Sequence, residues 1–241
     1  MSPPRQKQKK TADFSRFRQL RRGAWFGSLS EPVALALFEA GSIIEYTAGE
    51  VIYSDDGTAP GFLTTLDGAA HIETADRSGR RVLLYAASPG TWFGALAAAP
   101  RQHMLITIRA FRHTTVWRVP STELRRLLRV EPELVDGLAL LETLRQRALV
   151  EMVCMAHRPG TLSQVAGCLA LIDRLYKEND AETERSVVHM TQADLADMTG
   201  HSRQTINVVV AQLEKDQLIR VGHRRIEILD AEGLDAVSES Q

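Results

Sequence analysis

The segment from Met190 to Arg220 constrains the fold of this chain more than any other. Thr191 opens it and Asp194 follows three residues later, a spacing at which the two residues can cap the start of a helix reciprocally. Gly200 then interrupts the pattern, because glycine readily adopts the left-handed conformation that ends many helices. Ser202 is placed to cap a second helix. The segment therefore predicts two short helices joined by a tight turn, which is the helix-turn-helix unit.

The second helix of this unit has an apolar stripe and a polar face. The start of such a helix enters the major groove of DNA, where arginine can pair with guanine, and glutamine or asparagine with adenine. An ordinary solvated helix face is the alternative interpretation. The predicted base-reading residues are Arg203, Gln204 and Asn207, and the residues assigned to the DNA backbone are Thr191, His201, Ser202 and Thr205.

A cationic turn follows the second helix. The segments 218–220 and 226–229 have the composition of strands, so the residues between them form the turn of a predicted β-hairpin. His223, Arg224 and Arg225 lie at its tip, where positive charge can meet DNA phosphates. Such contacts supply affinity without sequence choice. We therefore predict a winged helix-turn-helix from about Met190 to Leu229.

Short apolar runs separated by turn residues occupy the chain from Gly41 to Pro120. Examples are Ile43–Tyr46 and Arg81–Tyr85, with the turn pair Asp67-Gly68 between them. Strands that recur every 8–12 residues or so are typical of a sandwich or barrel. This region is predicted to be a compact β domain.

A long helix is predicted from Pro132 to about Met155. Pro132 suits a first helical turn, and one set of residues recurs at alternating steps of four and three, the spacing of a seam between two packed helices. We interpret this seam as a dimer interface; packing of the helix on its own β domain is the alternative. The seam consists of Leu134, Leu138, Leu141, Arg145, Ala148, Met152 and Met155.

Composition and charge exclude several classes of protein. Of the 241 residues 44% are hydrophobic and 24% charged, as in ordinary folded domains. No apolar run approaches the roughly 20 residues of a membrane-spanning helix, and the N-terminus lacks the apolar core of a secretory signal, so a cytoplasmic protein is expected. Residues 1–22 are basic and are predicted to form a flexible arm; a phosphate-seeking arm is the alternative.

The order of these parts resembles the cyclic-AMP receptor/fumarate-nitrate regulator superfamily. The resemblance extends from about Ile43 to Leu229 and is strongest in His201–Ile206 and Leu213–Ile219, which look like the family's recognition helix and the start of its wing. It implies an α+β fold with an N-terminal β-roll, similar to a cyclic-nucleotide-binding domain and to a cupin-type jelly roll, then a long dimerisation helix and a C-terminal winged helix-turn-helix.

The resemblance also implies a division of the chain and a set of partners. The predicted parts are an arm (1–22), a β-roll sensor (23–131), a dimerisation helix (132–157) and a DNA-binding domain (158–241). By resemblance the chain is a homodimer that regulates transcription, binds a near-palindromic site on double-stranded DNA and contacts RNA polymerase. Neither the effector nor the sign of regulation follows from the sequence.

The sensor departs from the cyclic-nucleotide-binding members of the family. Those members hold ribose and phosphate with a Gly-Glu pair and a later Arg-Ser pair, whereas here Gly94 precedes Ala95, and the later positions correspond to Met104 and Leu105. A phosphate buried without its arginine would cost several kcal/mol. Cyclic AMP is therefore not expected to bind. An apolar effector pocket or plain core is predicted for Gly94, Ala95, Leu96, Met104 and Leu105.

Other cofactors are disfavoured to different degrees. The two cysteines, Cys154 and Cys168, do not form the cluster that holds iron and sulfur. A regulator of the same family that responds to a cyclic nucleotide, or to haem with His71 or His103 as axial ligand, is kept as a less favoured alternative. In the recognition helix, Val208 stands where the cyclic-AMP receptor subgroup has a second arginine, which predicts a contact with a thymine methyl group instead.

Two functions of other classes remain as alternatives. A cupin-type metal enzyme needs at least three ligands, and His71 with Glu73 offers an incomplete set, so no catalytic or metal-binding residues are assigned. A scaffold that keeps the long helix but no longer binds DNA is the second alternative. Substitution of Arg203 distinguishes this scaffold from a DNA-binding protein.

Overall fold

Two antiparallel four-stranded sheets form the β-roll. The computed structural model describes residues 14–54, 61–75, 79, 81–98 and 106–240. The strands are β1 (Ser42–Tyr46), β2 (Val51–Tyr53), β3 (Gly61–Asp67), β4 (Ala70–Ala75), β5 (Arg81–Ala87), β6 (Trp92–Phe93), β7 (Thr107–Ala110) and β8 (Thr114–Pro120). Within these residues the strand orders are β1-β8-β3-β6 and β2-β7-β4-β5. A short 3-10 helix, Ala95–Ala98, follows β6.

The core of the β-roll lies between the two sheets. Ile44, Leu63 and Val116 from the first sheet meet Ile52 and Ile108 from the second. Ile44 and Ile108 alternate along their strands with more exposed residues, because successive residues of a strand point to opposite faces, whereas β3 is buried on both faces up to Leu66. The predicted β domain is confirmed, and its first strand begins at Ser42.

Helices α1 (Phe14–Arg21), α2 (Ala24–Ser28) and α3 (Glu31–Glu39) precede the β-roll. Phe17 and Leu20 of α1 are buried, and Arg21 donates hydrogen bonds to the carbonyl groups of Phe26 and Leu29. The prediction of a flexible arm is therefore wrong for residues 14–22, because apolar residues between the basic ones anchor this segment. Residues 1–13 lie outside the described part of the chain.

Helix α4 (Ser121–Val130) leads into the long helix α5 (Pro132–Ala156). One side of α5 packs on an aromatic cluster of its own chain, in which the ring centroids of Trp25 and Trp92 are 4.9 Å apart. The Trp25 indole donates a hydrogen bond to the carbonyl group of Gly137. Although α5 has 25 residues, no helix in the described part of the chain is long and apolar enough to cross a membrane.

The predicted dimer seam of α5 faces this intramolecular packing. Leu134, Leu138 and Leu141 are buried among the aromatic side chains. Met155 is buried near Gly167 of the following helix. Arg145 donates to the carbonyl group of Trp92, and Ala148 and Met152 line a cavity of the same chain. The chain itself covers Leu134, Leu138, Leu141 and Met155, which argues against a dimer interface at these four residues, whereas Arg145, Ala148 and Met152 are only half-buried.

The C-terminal domain surrounds a second helix–sheet core. Its elements are α6 (Thr161–Asn179), β9 (Val187–Val188), α7 (Gln192–Thr199), α8 (Arg203–Lys215), β10 (Ile219–Gly222), β11 (Arg225–Ile228) and α9 (Ala231–Glu239). Strands β10, β11 and β9 form a small antiparallel sheet in that order. Leu169, Leu195 and Ile206 lie in the common core.

This domain sits directly on the β-roll. Leu83 and Ala86 of β5 are part of the buried cluster of the C-terminal domain, and the Tyr176 hydroxyl donates to the carbonyl group of Ala86 over 2.7 Å. At the end of α6 the backbone comes so close to Gly23 that an added Cβ would lie 2.7 Å from the carbonyl oxygen of Asn179. The two domains therefore share buried apolar surface as well as hydrogen bonds.

Candidate nucleic-acid interface

The first helix of the helix-turn-helix is capped at both ends. The Thr191 hydroxyl accepts a hydrogen bond from the Asp194 amide over 3.1 Å, and the Thr191 amide donates to the Asp194 carboxylate over 2.7 Å. At the other end Gly200 has φ +72°, and the His201 amide donates to the carbonyl group of Ala196. This reciprocal cap and the left-handed glycine are the local features that the sequence indicates.

The second helix, α8, separates its buried and exposed residues cleanly. Ser202 caps it by accepting from the Thr205 amide over 3.1 Å. The stripe predicted to be apolar is buried: Ile206, Val209, Val210 and Leu213. The four predicted base-reading residues are exposed and fall on one face of the first two turns: Arg203, Gln204, Asn207 and Val208. Val208 is 68% exposed although it is apolar.

The predicted backbone contacts fall into two groups. Ser202 and Thr205 lie at the start of α8, their hydroxyl oxygens 2.8 Å apart. His201 instead bonds to the side-chain oxygen of Gln164, whose amide nitrogen donates to the carbonyl group of Arg158. Sequence analysis missed Gln164, which ties the turn between α7 and α8 to the junction of α5 and α6. His201 thus has a structural partner in this conformation.

The wing is the hairpin of β10 and β11, with Gly222 paired to Arg225. His223, Arg224 and Arg225 are exposed at its tip, and Arg224 has φ +55°. The Arg224 guanidinium carbon lies 4.3 Å from the centroid of the Phe111 ring, in the turn between β7 and β8. The wing tip therefore touches the sensor domain.

An interdomain cluster surrounds this contact; its members are His71, Phe111, Arg112, His189 and Arg224. The rings of His71 and Phe111 stack with centroids 4.3 Å apart. His71 Nε2 donates to the carbonyl oxygen of His189 over 2.9 Å, and Arg112 donates to His189 Nε2 over 3.3 Å. Burial, followed by the positive charges of Arg112 and Arg225 and by His71, lowers the pKa of His189. Sequence analysis missed Phe111 and His189, which no local pattern marks.

A cavity of about 510 Å³ lies between the β-roll, α2, α5 and α6. Gly94 and Ala95, both predicted pocket residues, line it. The side chain of Leu96, together with Met104, Leu105 and His103, lies outside the described residues. Apolar side chains dominate the lining: Trp25, Phe26, Ile72, Leu84, Trp92, Phe93, Ile106, Leu141, Leu144, Ala148, Leu149, Met152 and Leu175.

Comparison with known proteins identifies the family. A Crp-like helix-turn-helix domain matches residues 163–237, and a cyclic nucleotide-binding domain matches residues 43–131. The HTH-type transcriptional regulator Cmr of Mycobacterium tuberculosis is 30% identical over 230 residues, which cover 90% of this chain and 88% of Cmr. The chain belongs to the CRP/FNR family of transcription regulators. The helix-turn-helix described above is therefore the DNA-binding domain of a CRP/FNR regulator.

Two further proteins, one compared by sequence and one by structure, are similar to this chain over most of its length. The transcriptional regulator SdrP of Thermus thermophilus is 27% identical, over 82% of this chain and 95% of SdrP. The solved structure of FixK2 from Bradyrhizobium japonicum has the same fold, with a TM-score of 0.70 at 19% identity, over 83% of this chain and 98% of FixK2. The order of β-roll, long helix and helix-turn-helix is thus that of the CRP/FNR fold.

The cavity in the sensor domain of this CRP/FNR chain is poorly suited to bind an anion. Among the described residues that line the cavity, Arg145 is the one basic side chain. Its guanidinium is already bonded to Glu142 and to the carbonyl group of Trp92. Burial lowers the pKa of Arg145, and the charge of Glu142 opposes this effect. Glu178 also lines the cavity, so a phosphate there would meet carboxylates and an occupied arginine.

The residues considered for haem or metal binding have other partners. His71 belongs to the interdomain cluster, and its Nε2 is bonded to the backbone of His189. Glu73 is paired with Arg81 at 2.8 Å and with Arg109 at 3.6 Å. Over the described parts of the chain, no three His, Cys, Asp or Glu side chains lie close enough together to hold a metal ion.

Proposed function

We propose that this CRP/FNR regulator reads a specific DNA sequence with Arg203, Gln204, Asn207 and Val208. The observation that best supports this proposal is that these four side chains are exposed on one face at the start of α8, while the apolar stripe of the helix is buried. Arg203 is assigned to a guanine, and Gln204 or Asn207 to an adenine. Val208 presents an apolar surface that suits a thymine methyl group.

The test is selection of duplexes from a random pool, followed by measurement of the Arg203→Ala variant. Loss of a bidentate arginine is expected to cost about 1–3 kcal/mol and to relax the preference at one base pair. Lys215→Ala removes a positive charge from the far end of the same helix and serves as the matched control. An Arg203→Ala variant that selects the same sequence with the same affinity would contradict base reading by this residue.

The protein is proposed to act as a homodimer through the exposed face of α5. This face lies beside the covered seam, offset from it by one residue or about 100° around the helix. Its residues also recur at steps of three and four: Val135, Ala139, Glu142, Gln146, Val150 and Val153. Val150 and Val153 are 56% and 59% exposed. A second copy of the same helix would cover them symmetrically. Two α8 helices related by a twofold axis then suit a near-palindromic site; contact with RNA polymerase stays a prediction from the family resemblance.

The cavity is proposed to receive an uncharged, largely apolar effector rather than cyclic AMP. Its lining supports this choice, because Gly94 is followed by Ala95 and the lining arginine is already paired. Leu175 and Asn179 of α6 belong to the same lining, so an occupant would contact the DNA-binding domain as well as the sensor. Effector binding could therefore alter how the two domains meet.

Two measurements test the effector proposal. Native mass spectrometry of the purified protein should detect a co-purifying apolar molecule, or thermal-shift screening should find one that stabilises the protein. Ala148→Phe, which adds a ring to the cavity wall, should abolish that effect. Calorimetric titration with cyclic AMP should show no binding; micromolar binding with one molecule per chain would overturn the assignment.

A further inference from the structure

We propose that the sensor domain holds the DNA-binding domain in a docked, DNA-incompatible state, and that the contact between Arg224 and Phe111 is one of the restraints. The inference rests on the proposed DNA-binding function, because Arg224 is a residue assigned to the DNA backbone. Its guanidinium carbon is 4.3 Å from the centre of the Phe111 ring, within the range of a cation–π interaction.

The Phe111 side chain is anchored for this role. Its ring stacks on His71, which itself bonds to the backbone of His189 at the start of the helix-turn-helix. Arg112, the next residue in the same turn, donates to the His189 ring. Phe111, His71 and Arg112 of the sensor thus hold the DNA-binding domain at two places, His189 and the wing tip.

The space in front of α7 gives an independent reason to regard this state as incompatible with DNA. Thr191 and Asp194 line a polar pocket of about 410 Å³, together with Gly49, Arg109 and Arg224. Gly49 and Arg109 belong to the β-roll, so the pocket lies between the domains. A DNA phosphate that approached Thr191 would have to enter this space, and the double helix is far too wide to follow. The two domains must separate before Thr191 and Arg224 can both reach DNA.

Separation carries a free-energy cost that lowers the apparent affinity for DNA. When only a fraction of molecules is competent, the apparent dissociation constant rises by the inverse of that fraction. Arg224 therefore acts in opposite directions: it stabilises the docked state through Phe111 and the bound state through a phosphate. Removal of the ring should relieve the first effect and leave the second.

The test is a double-mutant cycle on DNA affinity, in the full chain and on a duplex selected by the wild-type protein. Phe111→Leu keeps an apolar side chain but removes the ring, and should strengthen binding about two- to fivefold, the value of a partly exposed cation–π contact. Phe111→Tyr keeps the ring and should bind as the wild type does. Arg224→Ala should weaken DNA binding in both backgrounds. The loss of affinity should be about two- to fivefold larger in Phe111→Leu than in the wild type, because only the wild type also loses the restraint.

The outcomes separate this proposal from the proposed function. If Phe111→Leu binds as the wild type does or more weakly, or if the two substitutions are additive, the restraint is refuted while DNA binding stands. If the wild-type protein selects no duplex, the DNA-binding function itself fails. Hydrogen exchange of the amides of residues 189–194 supplies a readout without DNA: exchange should be faster in Phe111→Leu than in Phe111→Tyr, and equal rates would overturn the restraint.

Discussion

The exposed face of α5 yields a sharp test of the quaternary structure. Val153 is 59% exposed in the single chain. Complete burial of a valine side chain contributes about 1.5–3 kcal/mol, so covering the exposed part contributes about 1–2 kcal/mol in each chain. In a twofold dimer both copies are covered, which gives about 2–4 kcal/mol. Val153→Asp removes this contribution and places two like charges near the symmetry axis.

The expected result is a dimer dissociation constant raised roughly 30-fold to several hundredfold, by the usual 1.4 kcal/mol per factor of ten. Sedimentation equilibrium over a range of concentrations measures it. Val130→Asp is the matched control, because Val130 is 57% exposed but ends α4, away from this face. A dissociation constant that Val153→Asp leaves unchanged, or that both variants raise equally, would refute the assignment of the dimer to this face of α5.

Three further measurements examine other parts of the structure. Arg225→Gln should reduce the slope of log affinity against log salt concentration by about 0.9 per protomer, for any DNA sequence, if Arg225 neutralises a phosphate; an unchanged slope would exclude that contact. Thr191→Ala should lower the free energy of unfolding by about 1 kcal/mol in urea denaturation, because it removes the cap of α7, whereas Thr143→Ala in the middle of α5 should not. His189 should make domain docking sensitive to pH, because its pKa is lowered in the docked state by burial and by Arg112 and His71 of the β-roll; Arg225 also lowers this pKa but lies in the same domain as His189. Docking is therefore favoured at neutral pH and weakens as pH falls below the ordinary value of about 6.5. Hydrogen exchange of residues 189–194, corrected for the intrinsic rate, should show this change in the wild type but not in His189→Gln.

The helix-turn-helix was predictable because its determinants are local. A threonine with an aspartate three residues on, a glycine at the turn and a serine at the next cap each act within one helical turn. The period of Ile206, Val209 and Val210 then fixes which face of α8 is buried. The exposure of Arg203 and Asn207 follows from that face alone.

The orientation of α5 was not predictable in the same way. Two stripes of this helix have the spacing of a packed seam, one through Leu134 and Leu138 and the other through Val150 and Val153. A hydrophobic period shows that a face is covered but not whether the cover belongs to the same chain. The N-terminal helices that cover the first stripe were hidden by the basic residues that flank Phe17 and Leu20.

The interdomain cluster was beyond sequence reasoning for a different reason. His71, Phe111 and Arg224 come from three separate regions of the chain, and nothing in the sequence around any of them indicates that they meet. Their association depends on how one folded domain rests on another. The packing of one domain on another leaves no periodic pattern or motif in the sequence, so this cluster is seen only in the folded structure.

The close approach at Gly23 has a consequence for the whole molecule. The backbone there has φ −71° and ψ 138°, which any residue can adopt, so glycine is required by space rather than by conformation. A single methyl group would meet the carbonyl oxygen of Asn179 at 2.7 Å. The absence of a side chain at Gly23 thus allows the DNA-binding domain to pack this closely against the N-terminal helices. With any larger residue at position 23 the backbone at the end of α6 must shift, so the residue at this position indicates whether the chain can adopt this close approach of the two domains.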